Sequence, residues 1–489
     1  MEIPTPDQIA ATIPPPVHEL CRKLRRAGKK AWVVGGSIRD LLQGKAVADY
    51  DICTDALPQE VQRLFPRVIP TGIDHGTVIV LLGGHPYEVT TLRGEGAYTD
   101  GRRPDEVRYL TEITEDLARR DFTVNAIAFD LDTHTLVDPF GGLRDLERRV
   151  IRAVGVPAER FAEDGLRALR AARFVATLEA SLDPATEAAI GQTLDTFRKV
   201  SPERVHDEWI KTMKARFPSR AFHVMLRTGI LDITCPELVA THGCQQNRWH
   251  LFDVWGHSMA CLDACEGDPI LRLAALFHDI GKPQSRAFSE KTGDYTFYEH
   301  ERIGAEIADP ILQRLRFSNE DRLRIVHLIR HHLVCYEPSW TDAAVRRWIR
   351  RVTRDRMEDL YNLCRADILG KGRSAPEELE RIDQLRERAA RILAAGDALS
   401  TRALAINGND LMRELGLRPG RHIGQLLEAL LERVLEDPSL NTPENLLALA
   451  REQMAGASLA AASPAEVGVA ALPIQGGRGF FIPGAVPYR

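Results

Sequence analysis

Val33-Val34-Gly35-Gly36-Ser37-Ile38-Arg39-Asp40-Leu41-Leu42, followed by Ala48-Asp49-Tyr50-Asp51-Ile52, is the stretch that decides the fold of the N-terminal part of the chain. The apolar Trp32-Val33-Val34 reads as a short buried strand, and the glycine pair Gly35-Gly36 lets backbone N–H groups approach an anion. Ser37 to Leu42 begins a helix whose N-terminus favours negative charge, and Arg39 adds a fork-shaped cation to the same place. In Asp49-Tyr50-Asp51 the two-residue period of a strand sends both carboxylates to one face and Tyr50 into the core. Two hard oxygen ligands so placed suit magnesium ions. A D-x-D triplet alone carries little weight, because a chain of this acidity holds roughly one or two by chance. The glycine pair upstream changes that weight: a phosphate cradle feeding a carboxylate pair is the layout for metal-assisted nucleotidyl transfer.

At 489 residues the chain exceeds one compact core, so about three or more domains are expected. Its 44% apolar and 27% charged residues are ordinary for a globular protein. The sequence has no window of about 18 uncharged apolar residues and no basic start followed by an apolar run, which predicts a cytoplasmic protein without a membrane partner. The 8 cysteines contain no C-x-x-C pair, which argues against a zinc knuckle and a disulfide framework and for reduced thiols. A net charge of −5 gives no overall basic footprint, so any nucleic-acid surface has to be local. The best local candidate is Arg346, Arg347, Arg350, Arg351 and Arg354, three of which share a helical face; a solvated face beside acidic neighbours explains the cluster equally well.

Strand-like runs at 32–34, 50–53, 77–82, 87–92 and 126–130 mark residues 1–150 as an α/β head. From about 155 the pattern is helical, through 163–177, 183–197 and 201–217. The expected division is a head (1–150), a helical neck and body (151–245), a histidine-rich domain (246–372), a helical tail domain (373–455) and an irregular, disordered terminus (456–489). The fold class is α+β, a mixed head followed by all-helical regions.

Three further motifs join the head signature: Arg119-Arg120-Asp121-Phe122-Thr123-Val124-Asn125-Ala126, Asp138-Pro139-Phe140-Gly141-Gly142 and Glu163-Asp164-Gly165-Leu166-Arg167. With them, the chain resembles the class II tRNA nucleotidyltransferases, the group of CCA-adding enzymes and bacterial poly(A) polymerases, from about 30 to 450. The resemblance implies a polymerase-β-like head in which Gly36 and Arg39 hold the triphosphate. It implies Asp49 and Asp51 as ligands of the catalytic magnesium ions, with Glu88 as a third carboxylate. Arg120 matches a position that contacts the nucleotide and Asn125 lies nearby; a structural Arg–Asp pair is the competing reading of that motif. The implied reaction adds C, C and A to the tRNA 3′ end from CTP and ATP, without a template. The stretch Thr71-Gly72-Ile73-Asp74-His75-Gly76-Thr77 and the loop 98–105 resemble CCA-adding patterns, and an enzyme adding only A has nearly the same motifs.

Choosing nucleotides without a template requires side chains that read the base. Asp164 and Arg167, three apart, are expected on one side of a helix, where an acceptor and a donor face one base edge. C and A both offer an exocyclic amine and an unprotonated ring nitrogen to such a pair, whereas G and U reverse the pattern. Arg170 and Arg173 continue that face toward base or phosphates; an amphipathic helix with incidental arginines is the plainer alternative.

A second constellation comprises His257, His278-Asp279, His300, His331-His332 and Asp367. It resembles the HD phosphohydrolase superfamily, which implies His257, His278, Asp279 and Asp367 as ligands of a metal ion. Imidazole favours manganese, iron or nickel over magnesium. The implied chemistry is a phosphodiesterase or phosphatase at cyclic or terminal phosphates, and a helical spacer retaining the ligands is the alternative. Asn407-Gly408-Asn409-Asp410 and Leu417-Arg418-Pro419-Gly420 resemble the part of the family that holds the outer half of tRNA.

Overall fold

The computed structural model describes residues 3–47, 49–73, 76–95 and 107–461. Asp74, His75, the loop 98–105 and the terminus beyond 461 fall outside the described residues. The chain forms two compact units, one from 1–339 with 352–388 and the other from 340–351 with 389 onward.

Among the described residues the head has nine strands: β1 (Ala31–Val34), β2 (Asp51–Thr54), β3 (Val68–Ile69), β4 (Thr77–Leu82), β5 (His85–Thr91), β6 (Arg93–Glu95), β7 (Val107–Tyr109), β8 (Ala128–Asp130) and β9 (Thr135–Val137). Seven make one sheet in the order β3-β4-β5-β2-β1-β8-β9, and β6 pairs with β7 separately. β1 is buried along its whole length, as a continuous apolar run requires when a strand is covered on both faces. It lies antiparallel to β2, while β2 and β5 run parallel. The expected helix after the glycines is present as Gly36–Leu42.

The expected strand through Asp49, Tyr50 and Asp51 is shorter than its pattern suggests. β2 begins at Asp51, and Asp49 is an exposed residue of the preceding loop. Tyr50 is buried, as the alternation required. The expected helix 163–177 is two helices, Pro157–Glu163 and Leu166–Thr177, broken at Asp164-Gly165. A Cβ on Gly165 would stand 2.7 Å from backbone atoms of Thr196 and Phe197, so the break is a close crossing of two backbones.

Downstream of the head the unit is helical apart from short ribbons, including the hairpin Arg286–Ser289 with Asp294–Phe297. Its core centres on fully buried Trp209, edge-on to Phe222 at 5.2 Å and stacked near Phe277 at 6.3 Å. The second unit packs Leu411, Leu430, Leu431, Val434, Leu435 and Leu446 around its own core. The helix Asp342–Val352, expected within the histidine-rich region, contributes most of its length to this unit.

That helix also carries most of the arginine cluster considered as a local basic footprint, and three of those cations are already partnered. Arg346 bonds Asp397 at 2.6 Å and the Leu435 carbonyl at 2.9 Å. Arg347 pairs with Glu432 and Glu436, and Arg350 with Glu432 and Glu428. The solvated-face reading therefore describes Arg347 and Arg350, which glutamates of a neighbouring helix, Arg421–Glu436, neutralise, whereas Arg346 is buried against Asp397. Among the described residues no helix is long and apolar enough to cross a membrane.

Replacing Trp209 by Ala should cost about 3–5 kcal/mol in denaturant unfolding. Trp209→Phe should cost clearly less, since the buried indole N–H has no hydrogen-bond partner to lose.

Candidate active site

The turn after β1 depends on Gly35. Its φ of +73° is natural to glycine, and a Cβ there would stand 2.7 Å from Arg120 Nη1 and 3.9 Å from Asp51 Oδ2. The turn thus leaves room for a guanidinium beside the carboxylate.

Register does the rest. Asp51 pairs with Val34 on one side and with Glu88 on the other, so Asp51 and Glu88 stand side by side on neighbouring strands. The Asp51 carboxyl is surface-accessible within the cleft but hemmed in by protein. This partial burial, with Glu88 and Asp49 near it, pushes the carboxyl up to about 6 against the opposing pull of Arg120. A carboxyl pushed up in this way is one that a divalent cation stabilises in its ionised form.

Around these acids lies a cleft of about 530 Å³ lined by Gly35, Gly36, Arg39, Asp51, Glu88, Arg120, Asn125, Asp164, Arg167 and Arg170, together with Arg93, Arg119, Asp121, Phe174 and Arg204. Arg39 chelates Asp40 and donates to Asn125 Oδ1 at 2.8 Å. Asn125 in turn donates to Asp121 at 3.0 Å, and Asp121 receives Arg170 Nε at 2.8 Å. Burial alone would raise the Asp121 carboxyl, but Arg170 and the Asn125 amide outweigh it and hold it at about 2.

The expected base-reading pair is present in the cleft in a different arrangement. Asp164 is the linker between two helices, not a member of the second, and caps it through the Leu166 N–H at 3.0 Å. Both its oxygens take Arg204, at 3.1 and 2.6 Å. Arg167 pairs with Glu163 and donates to the carbonyls of Arg160 and Arg119. Arg173 departs from expectation: it bonds buried Glu208 at 2.5 Å, lies over the Phe174 ring at 4.1 Å and is not part of the cleft lining.

A second group of functional side chains gathers between the helices Val254–Ala264, Pro269–Phe277, His300–Arg314, Asn319–His331 and Met357–Gly370. His257 Nε2 is 3.1 Å from His278 Nε2, 3.0 Å from Asp367 Oδ1 and 3.3 Å from Asp279 Oδ2. The other oxygen of Asp279 faces His300 Nε2 at 3.3 Å and His332 Nε2 at 3.9 Å. His331 instead packs on His327. His278, His300 and His332 each direct Nδ1 at a backbone carbonyl three residues earlier, at 2.7 Å. A carbonyl only accepts, so Nδ1 carries a proton in each ring and Nε2 is the nitrogen turned inward, the one able to ligate a metal when the ring is neutral. Burial, with His278 and His300 alongside, lowers His332 to about 3 and keeps it neutral, the form that ligates metal. Lys282 Nζ stands 2.6 Å from Asp279 Oδ2, and His278 with Lys282 holds the buried Asp279 well below the usual carboxylate range. Gly281 permits this packing: a Cβ on it would meet the His300 carbonyl at 2.3 Å. Imidazole nitrogens and carboxylate oxygens converging between buried helices fit a divalent cation.

Family models match the chain in three places: the poly A polymerase head domain over 31–152, the probable RNA and SrmB-binding site of polymerase A over 181–241, and the HD domain over 254–400. The chain is 35% identical to a CCA-adding enzyme of Lactobacillus delbrueckii subsp. bulgaricus over 413 residues, 84% of this chain and 91% of that protein. The chain belongs to the CCA-adding enzyme family. With the Lactobacillus johnsonii CCA-adding enzyme identity is 45% over 227 residues, a match spanning 46% of this chain and about half, 56%, of that relative. The crystal structure of the Bacillus stearothermophilus CCA-adding enzyme in complex with CTP superposes with a TM-score of 0.70 at 28% identity, covering 92% of this chain and all of the other. The Thermotoga maritima CCA-adding enzyme complexed with tRNA, at 21% identity and a TM-score of 0.53, shares the fold.

For this member of the CCA-adding family, sequence reading missed Arg204, Phe174 and Lys282. Arg204 sits near the start of the helix Pro202–Met213 and looks like any surface arginine until that helix returns to Asp164. Lys282 carried a signal, since it directly follows the His278-Asp279-Ile280-Gly281 motif and a lysine after so apolar a helix is one to pair with a buried acid.

Asp121 is predicted to show its role in pH dependence. Its folded value of about 2 lies below the ordinary 3.8, so it stabilises the fold above pH 4 and that contribution is lost as pH falls toward 2. Asp121→Asn should lower unfolding free energy by about 2 kcal/mol at pH 7, with the gap to the parent narrowing below pH 4 in urea titrations.

Proposed function

We propose that this chain adds CCA to the 3′ end of tRNA from CTP and ATP, releasing pyrophosphate, and that its head cleft is the transfer site. The observation carrying this reading is the convergence, in one cleft, of paired carboxylates with arginines and with the Asp164–Arg204 and Arg167–Glu163 pairs. Magnesium held by Asp49 and Asp51, with Glu88 beside them, would activate the attacking 3′-hydroxyl and screen the triphosphate. The backbone at Gly36 and the Arg39 guanidinium hold phosphate oxygens, and Arg120, already beside Asp51, takes part of the same charge. Asn125 keeps Arg39 aimed by accepting its Nη1.

Reading the base is an exchange of partners. C or A donates its exocyclic amine to Asp164 and accepts from Arg167 at the ring nitrogen, replacing bonds these residues make to Arg204 and Glu163. G and U offer the wrong pattern and leave both charges short of partners. Arg170 holds Asp121 and borders the same volume, and Arg173 supports Phe174. The reaction places the protein with tRNA in the cytoplasm.

The HD centre supports a second reading, a metal-dependent phosphohydrolase acting on 2′,3′-cyclic or terminal phosphates. His257, His278, Asp279 and Asp367 would hold a transition metal such as manganese, nickel or iron, and His300 and His332 extend the donor set across Asp279. A bound metal would supply a nucleophilic hydroxide at neutral pH.

Incubation with tRNA lacking its CCA should incorporate two C from CTP alone and complete CCA with both nucleotides. Incorporation of A without C would overturn full CCA addition. Asp51→Ala or Asp49→Ala should abolish transfer while leaving the melting transition in place. Asp164→Ala and Arg167→Ala should admit G and U while tRNA affinity holds, read by competition among the four nucleotides. For the second centre, hydrolysis of a 2′,3′-cyclic nucleotide with added manganese or nickel should disappear in His278→Ala and persist in Asp51→Ala.

A further inference from the structure

Cys261 lies one helical turn beyond His257 on the helix Val254–Ala264, on the same face and fully buried. Its Sγ is 3.6 Å from His257 Nε2. The thiol sulfur, one nitrogen each of His257 and His278, and an oxygen of Asp367 all lie within 4.8 Å of one another. In a tetrahedral zinc site, with Zn–N of about 2.0–2.1 Å and Zn–S of about 2.3 Å, neighbouring nitrogens stand about 3.3 Å apart and sulfur stands about 3.6 Å from nitrogen. The observed edges are 3.1 Å between the two imidazoles, 3.0 Å from His257 to Asp367 and 3.6 Å from sulfur to His257. The three edges that meet at His257 are spaced as in one coordination shell, and His278 Nε2 stands 3.8 Å from Asp367 Oδ1.

We propose that Cys261 is a ligand of the HD centre, making it a mixed thiolate, imidazole and carboxylate site that selects zinc or another thiophilic divalent transition metal over magnesium. The inference rests on the HD centre being a metal site and specifies its ligands further. Binding breaks the S–H bond, forms the metal–sulfur bond and releases the proton to solvent, with no change of oxidation state. Soft sulfur in the shell disfavours hard cations, which take oxygen ligands.

Packing alone accounts for only part of what is seen at this position. The helix Met357–Gly370 crosses here so closely that a Cβ on Gly370 would come within 2.5 Å of the Cys261 sulfur, which explains a small side chain. Alanine or serine would serve that purpose equally. A small side chain does not explain why its sulfur joins two imidazole nitrogens and a carboxylate in one group. Among the described residues Cys261 is the one cysteine found in such a group. Asp279, fully buried beside this group with Lys282 Nζ 2.6 Å from one oxygen and His300 Nε2 3.3 Å from the other, marks the same interior as one built around paired charge.

Cobalt(II) tests this on the full-length protein in excess magnesium, which keeps the head site occupied. One equivalent of cobalt should produce visible ligand-field bands and a near-ultraviolet thiolate-to-cobalt charge-transfer band. Cys261→Ser should lose the charge-transfer band and keep the visible bands. Visible bands without a charge-transfer band in the parent protein, or a charge-transfer band that survives Cys261→Ser, would overturn the ligand assignment while leaving the HD metal centre standing. Absence of both bands would overturn the metal centre and the assignment together. The parent protein loaded with one equivalent of zinc gives a check that needs no variant. X-ray absorption should show one sulfur at about 2.3 Å, and a shell of nitrogen and oxygen alone would refute Cys261 as a ligand.

Discussion

The parallel registration of β2 against β5 is the constraint on which the head depends, because it seats Asp51 directly beside Glu88. Two carboxylates on adjacent strands repel, and the fold answers with cations from outside the sheet. Arg120 reaches Asp51 only because Gly35 has no side chain. Arg39 reaches the same cleft from the helix that the glycine turn starts. The acidic pair, the glycine turn and the arginines form one electrostatic unit, and each explains the residue type of the others.

Charge compensation organises the rest of the cleft as well. Asp121 joins Asn125 to Arg170, Asp164 joins Arg204 to the start of the helix Leu166–Thr177, and Glu208 holds Arg173 over Phe174. Such pairs fix the guanidinium planes within the folded chain, so little side-chain ordering is left to any ligand of the cleft. The HD centre uses the same device on a smaller scale. Carbonyl contacts orient three imidazoles, and Lys282 sits against the carboxylate that separates them.

Much of this was legible in the chain before folding. The strands at 77–82 and the buried β1 followed from apolar runs, and Gly36, Arg39, Asp51, Glu88, Arg120 and Asn125 do line one cleft. The residues that the resemblance singled out, His257, His278, Asp279 and Asp367, do come together between the helices. Three things escaped. Asp164 and Arg167 were expected on one helix, but Gly165 interrupts it where the backbone of 196–197 crosses. Arg173 was expected in the cleft and is held off it by Glu208, thirty-five residues away. Arg346, Arg347 and Arg350 kept two readings open until Asp397 and the glutamates of the helix Arg421–Glu436 came beside them.

The sequence by itself determined local chemistry: which segments are strands or helices, where the backbone tolerates only glycine, and which side chains can hold phosphate, base or metal. These follow from periodicity, turn stereochemistry and functional-group type, all of which act over a few residues. Only the tertiary structure decided the partners. That Asp164 takes Arg204, that Asp279 stands between two sets of histidines and that the Cys261 sulfur comes near His278 and Asp367 are facts about segments distant in the chain. Side-chain pairing across such distances is set by how helices cross and strands register, and no local pattern encodes it.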